Sequence, residues 1–188
     1  MMKPVFLIGY MGCGKTTLGE ALALHMDALY IDLDQYIEQQ QGLSIVDLFS
    51  CQGEERFREI EAAALREVAT MTDVIVGCGG GTPCHGDNMS LMNDTGVTVW
   101  LVTTPERITA RLLLPEQKAK RPKTVNLPDE AVLPMVEREL NERVPYYSQA
   151  QLQFDSTDIE TGPATQRTAR RLADVLVGSV FARMGKKQ

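Results

Sequence analysis

Short apolar runs alternate with longer amphipathic stretches along this chain. Val5 to Ile8 is a continuous apolar run between Pro4 and Gly9, the pattern of a strand buried on both faces of a parallel sheet. Lys15 to His25 then carries Leu18, Ala21 and Leu22 at helical spacing, which predicts a first helix. Ala28 to Ile31 reads as a short second strand ending at Asp32. Two helical stretches follow, Gln35 to Gln41 and Ile45 to Phe49, with Ser44 a suitable N-cap for the second. Gly53 opens a longer helix reaching about Ala69.

Val74 to Val76 predicts a third strand, followed closely by the triplet Gly79-Gly80-Gly81, and Val97 to Val102 a fourth with Trp100 inside it. Pro105 begins a helix to about Leu114, proline being tolerated in a first turn. From Pro115 to Pro128, three prolines and four basic residues replace apolar periodicity, so a mobile surface loop is expected there. Helix resumes from Asp129 to about Tyr147, Leu152 and Phe154 suggest a fifth strand, and Ala164 to Phe181 reads as a closing amphipathic helix. Strands alternating with helices predict an α/β fold, a parallel sheet with helices on both faces. No internal repeat interrupts the pattern, and 188 residues suffice for one substantial core. A single domain over 1–188 is expected.

Composition narrows the function classes. With 44% hydrophobic and 23% charged residues the chain is ordinary for a globular protein. A net charge of -6 disfavours nucleic acid as a partner, since phosphate backbones are gripped by basic surfaces. Cys13, Cys51, Cys78 and Cys84 form no CxxC pair, so reduced thiols and a cytoplasmic setting are expected. The first apolar run is too short for the apolar core of an export leader or for a membrane span.

The chemistry begins at Gly9-Tyr10-Met11-Gly12-Cys13-Gly14-Lys15-Thr16. This octet fits GxxxxGK[ST] directly after a predicted strand and before a predicted helix, the context the motif requires. Glycines let the backbone curl so that successive N–H groups point at phosphates, and the positive end of the helix faces the same anion. Lys15 would neutralise charge on the transferred phosphate, and the Thr16 hydroxyl is placed to ligate Mg²⁺. Gly12, Cys13, Gly14, Lys15, Thr16 and Thr17 are the expected nucleotide contacts. A glycine-rich turn with a chance lysine would not explain the strand and helix on either side.

Later acids complete the picture. The third strand ends in Gly77-Cys78-Gly79 and offers no carboxylate, whereas Asp32-Leu33-Asp34 follows the second. At the carboxyl end of a parallel strand both acids open into the crevice where ligands bind, and on one side if strand geometry persists. One could serve Mg²⁺ and the other an acceptor hydroxyl, or Asp34 could simply cap the next helix. Glu54 and Arg58 form an i,i+4 pair that a solvated helix face would also explain. Three glycines at a strand end weaken the fold unless something must approach the backbone closely. The basic loop with Lys118, Lys120, Arg121 and Lys123 suits either a lid that closes over ATP or a solvated segment.

These segments together resemble the shikimate kinase family, small P-loop enzymes similar to nucleoside monophosphate kinases. The resemblance covers about residues 5 to 150. It rests on the phosphate loop, Asp32-x-Asp34, Gly53-Glu54-x-x-Phe57-Arg58-x-x-Glu61, Gly79-Gly80-Gly81, Arg121-Pro122 and Arg143-x-x-Tyr146-Tyr147-x-x-x-Ala150. It implies a three-layer P-loop kinase fold with a central five-stranded parallel sheet and a mobile lid over about 115–128. It further implies transfer of phosphate from ATP to the 3-hydroxyl of shikimate, in aromatic amino-acid biosynthesis, by a monomer in the cytoplasm. Asp34, Arg58, Gly79, Gly80, Gly81 and Arg143 would then hold shikimate, the two arginines pairing its carboxylate. Lys15, Asp34 and Arg121 would be catalytic, Thr16 and Asp32 would hold Mg²⁺, and Arg111 and Arg121 would contact the nucleotide. Two departures from the family stand out: Lys123-Thr124 follow Arg121-Pro122 where two leucines are common, and Cys78 replaces a more usual Thr or Ser. The alternatives are a sister kinase for another small molecule, such as gluconate, and a non-catalytic nucleotide-binding module.

Overall fold

In the computed structural model, residues 1–118, 122–125, 127–159 and 162–184 are described. Five strands, β1 (Val5–Ile8), β2 (Leu29–Asp32), β3 (Val74–Gly77), β4 (Val97–Val102) and β5 (Leu152–Asp155), form one parallel sheet in the order β2-β3-β1-β4-β5. The helices are α1 (Lys15–Met26), α2 (Leu33–Gln41), α3 (Ile45–Val68), α4 (Asn88–Thr95), α5 (Pro105–Leu112), α6 (Pro115–Lys118), α7 (Pro122–Val125), α8 (Asp129–Tyr147) and α9 (Pro163–Met184).

The period of two along β1 sorts the layers. Phe6 and Ile8 join a buried cluster with Leu33 and Ile37 of α2, Phe57, Ile60 and Leu65 of α3, and Val132 and Val136 of α8. Val5 and Leu7 point the other way, toward Leu18 and Leu22 of α1 and Ala169, Leu172 and Leu176 of α9. Adjacent residues of one strand thus feed opposite cores, as the continuous apolar run requires. Ala169, Leu172, Ala173 and Leu176 recur at helical spacing, so α9 closes the second face through one stripe.

Register places the functional edge. Leu7 pairs with Gly77, Gly77 with Asp32, and Ile8 with Trp100, so β1, β2 and β3 end level. The connection leaving β1 runs to one side of it and that leaving β4 to the other, which opens a crevice at the carboxyl ends.

Several sequence expectations change in detail. Asp32, rather than Asp34, caps α2: its Oδ1 accepts from the N–H groups of Asp34 at 3.1 Å and Gln35 at 3.3 Å. Strand geometry therefore stops at Asp32, and Asp34 lies in the first helical turn. The two helices expected on either side of Gly53 are present as the two segments of α3, separated at Gly53, whose φ 80° and ψ 169° are not helical. Ser44 caps it as expected, accepting from the Asp47 N–H at 3.1 Å. The segment expected as a loop over Pro115–Pro128 contains the short helices α6 and α7. Helix α4 was not anticipated, because it is only eight residues long and Met89, Leu91 and Met92 are its only apolar positions.

One packing detail ties the sheet to α1. The ring of Tyr30 on β2 is held between Gly19 of α1 and Gly77 of β3, and a Cβ on either glycine would overlap it. Its hydroxyl is buried without a hydrogen-bond partner among the described residues. Because the ring is pinned on both sides, Gly77→Ala should destabilise by about 1–3 kcal/mol. Tyr30→Phe removes the atom that clashes and an unsatisfied polar group, so alone it should be neutral or stabilising. Combined with Gly77→Ala it should recover most of the loss, which thermal or urea unfolding of the three variants will measure.

Candidate active site

The turn from β1 to α1 needs three residues with φ well into the positive range, and each is glycine: Gly9 at 142°, Gly12 at 80° and Gly14 at 99°. Gly9 also has no room for a side chain, since a Cβ would lie 2.9 Å from the Leu101 carbonyl oxygen. The Lys15 ammonium donates to the carbonyls of Gly9 at 2.8 Å and Tyr10 at 3.0 Å, folding over its own loop. Cys13 is fully buried, with its N–H given to the Tyr10 carbonyl at 3.2 Å. Cys78 is equally buried.

Opposite the loop stand the two acids. Asp32 Oδ2 lies 3.5 Å from the Thr16 hydroxyl while its Oδ1 is spent on the α2 cap. Asp34 packs against Gly79, whose Cβ would lie 3.0 Å from its Oδ1. Burial, with the nearby negative charges of Asp32 and Glu61, pushes the Asp34 carboxyl up to about 6, against the opposing pull of Lys15.

The glycine run after β3 is a floor on which two guanidinium groups lie. A Cβ on Gly80 would sit 3.1 Å from Arg143 Nη1, and one on Gly81 3.0 Å from Arg58 Nη2. Arg58 is aimed by Glu61, a carboxylate with 2% side-chain exposure that accepts from Nη1 at 2.8 Å and from the Thr82 hydroxyl at 2.6 Å. Its second partner, Glu54, is a largely exposed residue at 3.1 Å. Phe49 and Phe57 flank the guanidinium at 5.8 and 5.2 Å. Arg143 reaches Glu139 at 2.8 Å and stacks on the Tyr10 ring at 5.1 Å. The Tyr147 hydroxyl fixes the floor itself, donating to the Gly80 carbonyl at 2.6 Å.

A cavity of about 880 Å³ runs along this edge, lined by Gly12, Gly14, Lys15, Thr16, Thr17, Asp32, Asp34, Gly79, Gly80 and Arg111, and also by Arg107, Leu114 and Ile159. Arg58, Gly81 and Arg143 are not among the residues that line it; the two arginines lie against the glycine run that continues from its Gly79 and Gly80 wall. Arg111 donates to the carbonyls of Gly12 at 3.0 Å, Thr157 at 3.2 Å and Ile159 at 2.5 Å, which joins the phosphate loop to the segment after β5. Arg121 lies outside the described residues. The sequence reading missed Tyr10, Glu139 and Ile159 and gave Glu61 no role. Glu139 was detectable from its i,i+4 spacing to Arg143. Nothing in the sequence separates Tyr10 or Ile159 from ordinary core residues.

Thr16 and Asp32 form a hard-oxygen pair, and the described residues hold no cluster of three or more His, Cys, Asp or Glu. Such a pair fits Mg²⁺ shared with nucleotide phosphates and water, and does not fit an all-protein cage.

A parallel sheet whose first strand enters a phosphate loop, with a carboxyl of pKa raised to about 6 across from the loop lysine, defines a small-molecule kinase of the P-loop class. The family model for shikimate kinase matches residues 11–176. A shikimate kinase from Phocaeicola vulgatus is 45% identical over 159 residues, covering 85% of this chain and 90% of that protein. One from Bacteroides thetaiotaomicron is 39% identical over 175 residues, covering 93% and 99%. The crystal structure of shikimate kinase from Bacteroides thetaiotaomicron superposes with a TM-score of 0.89 at 39% identity, over 94% of this chain and 99% of that one. Shikimate kinase from Acinetobacter baumannii in complex with shikimate gives 0.80 at 26% identity, over 95% of each. The chain belongs to the shikimate kinase family.

The Asp34 environment carries a stability cost that can be measured. Its pKa is raised on folding, so the native state binds more protons than the unfolded chain between about 4 and 6. Stability therefore falls as pH rises through that window and the loss is complete above it. Asp34→Asn removes the penalty. It should raise stability by on the order of 1–2 kcal/mol at pH 7.5 and give little change at pH 4, as read from unfolding at the two pH values.

Proposed function

We propose that this chain is one P-loop kinase domain that transfers the γ-phosphate of ATP to the 3-hydroxyl of shikimate, as a monomer in the cytoplasm. One observation carries the substrate side of the reading. Two arginines converge on the consecutive glycines Gly80 and Gly81, beside a carboxyl of raised pKa and across from the phosphate loop. A small acceptor with a carboxylate at one end and vicinal hydroxyls at the other fits that polarity. Arginine's planar fork pairs with carboxylates in bidentate fashion. Glu54 is the partner of Arg58 that a substrate carboxylate would replace, since an exposed pair contributes little and the buried Glu61 keeps the guanidinium aimed.

Asp34 would accept a hydrogen bond from the attacking hydroxyl and take its proton, a task suited to a carboxyl with a pKa near 6. Gly12, Cys13, Gly14 and Thr17 would hold phosphates through the loop and the start of α1, with Arg111 on the nucleotide side. Lys15 would turn from the Gly9 and Tyr10 carbonyls onto the transferred phosphate, and Arg121 would meet it from the lid over about 115–128. Thr16 and Asp32 would hold Mg²⁺, which when bound neutralises charge between the β- and γ-phosphates. The remaining catalysis is positioning and charge stabilisation by this chain's own groups.

A coupled ADP-release assay with ATP and Mg²⁺ tests the reading against shikimate, gluconate, quinate and nucleoside monophosphates. Turnover with shikimate alone is expected. Turnover with another acceptor would leave the kinase class and remove the shikimate site, and ADP release with none would favour a binding module. In the same assay Arg143→Ala should raise the KM for shikimate about 10- to 100-fold, the loss of one charged hydrogen-bonded contact. The KM for ATP should stay within about threefold, and equal loss for both ligands would sink the carboxylate assignment.

A further inference from the structure

Tyr10 belongs to the phosphate loop by its backbone and to the acceptor side by its side chain. Its carbonyl accepts from Lys15 Nζ at 3.0 Å and from the Cys13 N–H at 3.2 Å. Its ring, fully buried, carries the Arg143 guanidinium at 5.1 Å. Its hydroxyl donates to Glu139 Oε2 at 3.1 Å, the same oxygen that accepts from Arg143 Nη2 at 2.8 Å. The floor under Arg143 touches this loop too, since a Cβ on Gly80 would lie 3.6 Å from both the Gly9 carbonyl oxygen and the Met11 nitrogen. Arg143 is thus held by Glu139 and Tyr147 of its own helix and by Tyr10, the loop residue whose carbonyl also binds the catalytic lysine.

We infer that Tyr10, with Glu139, is a positioning residue for Arg143 that couples the phosphate loop to the acceptor carboxylate site. The inference rests on the reading of Arg143 as a carboxylate ligand. The physical route is short. A phosphate that draws Lys15 away from the Gly9 and Tyr10 carbonyls changes the forces on the backbone that carries the Tyr10 ring. The ring and the shared Glu139 oxygen leave Arg143 few ways to keep its place unless it moves with them. A nucleotide then alters acceptor affinity with no direct contact between the two ligands at Arg143, and the effect must be equal in both directions.

Isothermal titration of shikimate with and without saturating Mg²⁺ and ADP tests this in the parent protein, Tyr10→Phe and Tyr10→Leu. In the parent, ADP should change the shikimate dissociation constant about fivefold or more, and shikimate should change that of ADP by the same factor. Tyr10→Phe keeps the buried ring and loses only the bond to Glu139, so the factor should shrink while the melting temperature holds. Tyr10→Leu, which also removes the stacking surface, should bring it within about 1.5-fold of unity. ADP affinity measured alone should stay within about twofold in both variants. A parent without ADP dependence would overturn the coupling and leave the substrate reading intact. So would a leucine variant that keeps the parent's factor, or losses of ADP and shikimate affinity that run in parallel. A parent that binds ADP but not shikimate would overturn the substrate reading itself.

Discussion

Close approach of charged side chains to bare backbone at the carboxyl edge of the sheet is the constraint on which the rest of this structure depends. Gly79, Gly80 and Gly81 bring Asp34, Arg143 and Arg58 within about 3 Å of where a Cβ would stand. Gly9 does the same between the Leu101 carbonyl and the Cys13 thiol. Each glycine weakens the fold locally, and the sheet can carry them because its strands are anchored on both faces by continuous apolar cores. Removing side chains at the edge leaves main-chain dipoles and space for anions, and the neighbouring helices supply the charges that sort one anion from another.

The site divides into a part that is fixed and a part that must move. Glu61 is almost fully buried and holds both Arg58 and Thr82, so it sets geometry before any ligand arrives. A buried carboxylate with two charge-assisted or hydroxyl partners loses heavily if either is removed. Lys15, by contrast, is held by the Gly9 and Tyr10 carbonyls and the Cys13 sulfur of its own loop, and Glu54 is an exposed partner. On the proposed reading, those two contacts are the ones ligands would replace at low cost. Asp34 lies between these limits: the surroundings that raise its pKa cost stability and supply basicity near neutral pH.

Much of this was legible from the chain alone, and the gaps have physical causes. Apolar runs located β1 to β4 to within a residue or two, most clearly β1 and β3, whose burial on both faces leaves no polar positions to confuse the pattern, whereas the edge strand β5 was read from Leu152 and Phe154 alone. The phosphate loop was legible because its glycines answer a backbone requirement that three positive φ values confirm. The Asp pair was found but the capping residue was not: extended spacing was assumed past Asp32, whereas the Asp32 side chain ends the strand by capping α2. Helix α4 escaped because so short a helix has little apolar stripe. Tyr10 escaped because a buried tyrosine in a loop looks like packing until the tertiary contact with Glu139, 129 residues away, is known.

On the proposed reading, Arg58 and Arg143, laid over Gly80 and Gly81, recognise a carboxylate on the phosphoryl acceptor. Comparing kcat/KM for shikimate with that for its methyl ester, at saturating ATP and Mg²⁺, addresses it without altering the protein. Loss of charged hydrogen bonds to two arginines predicts a fall of about two to four orders of magnitude for the ester, carried mainly by KM. An ester turned over within about tenfold of the acid would contradict the clamp, and with it the role given to the glycine floor.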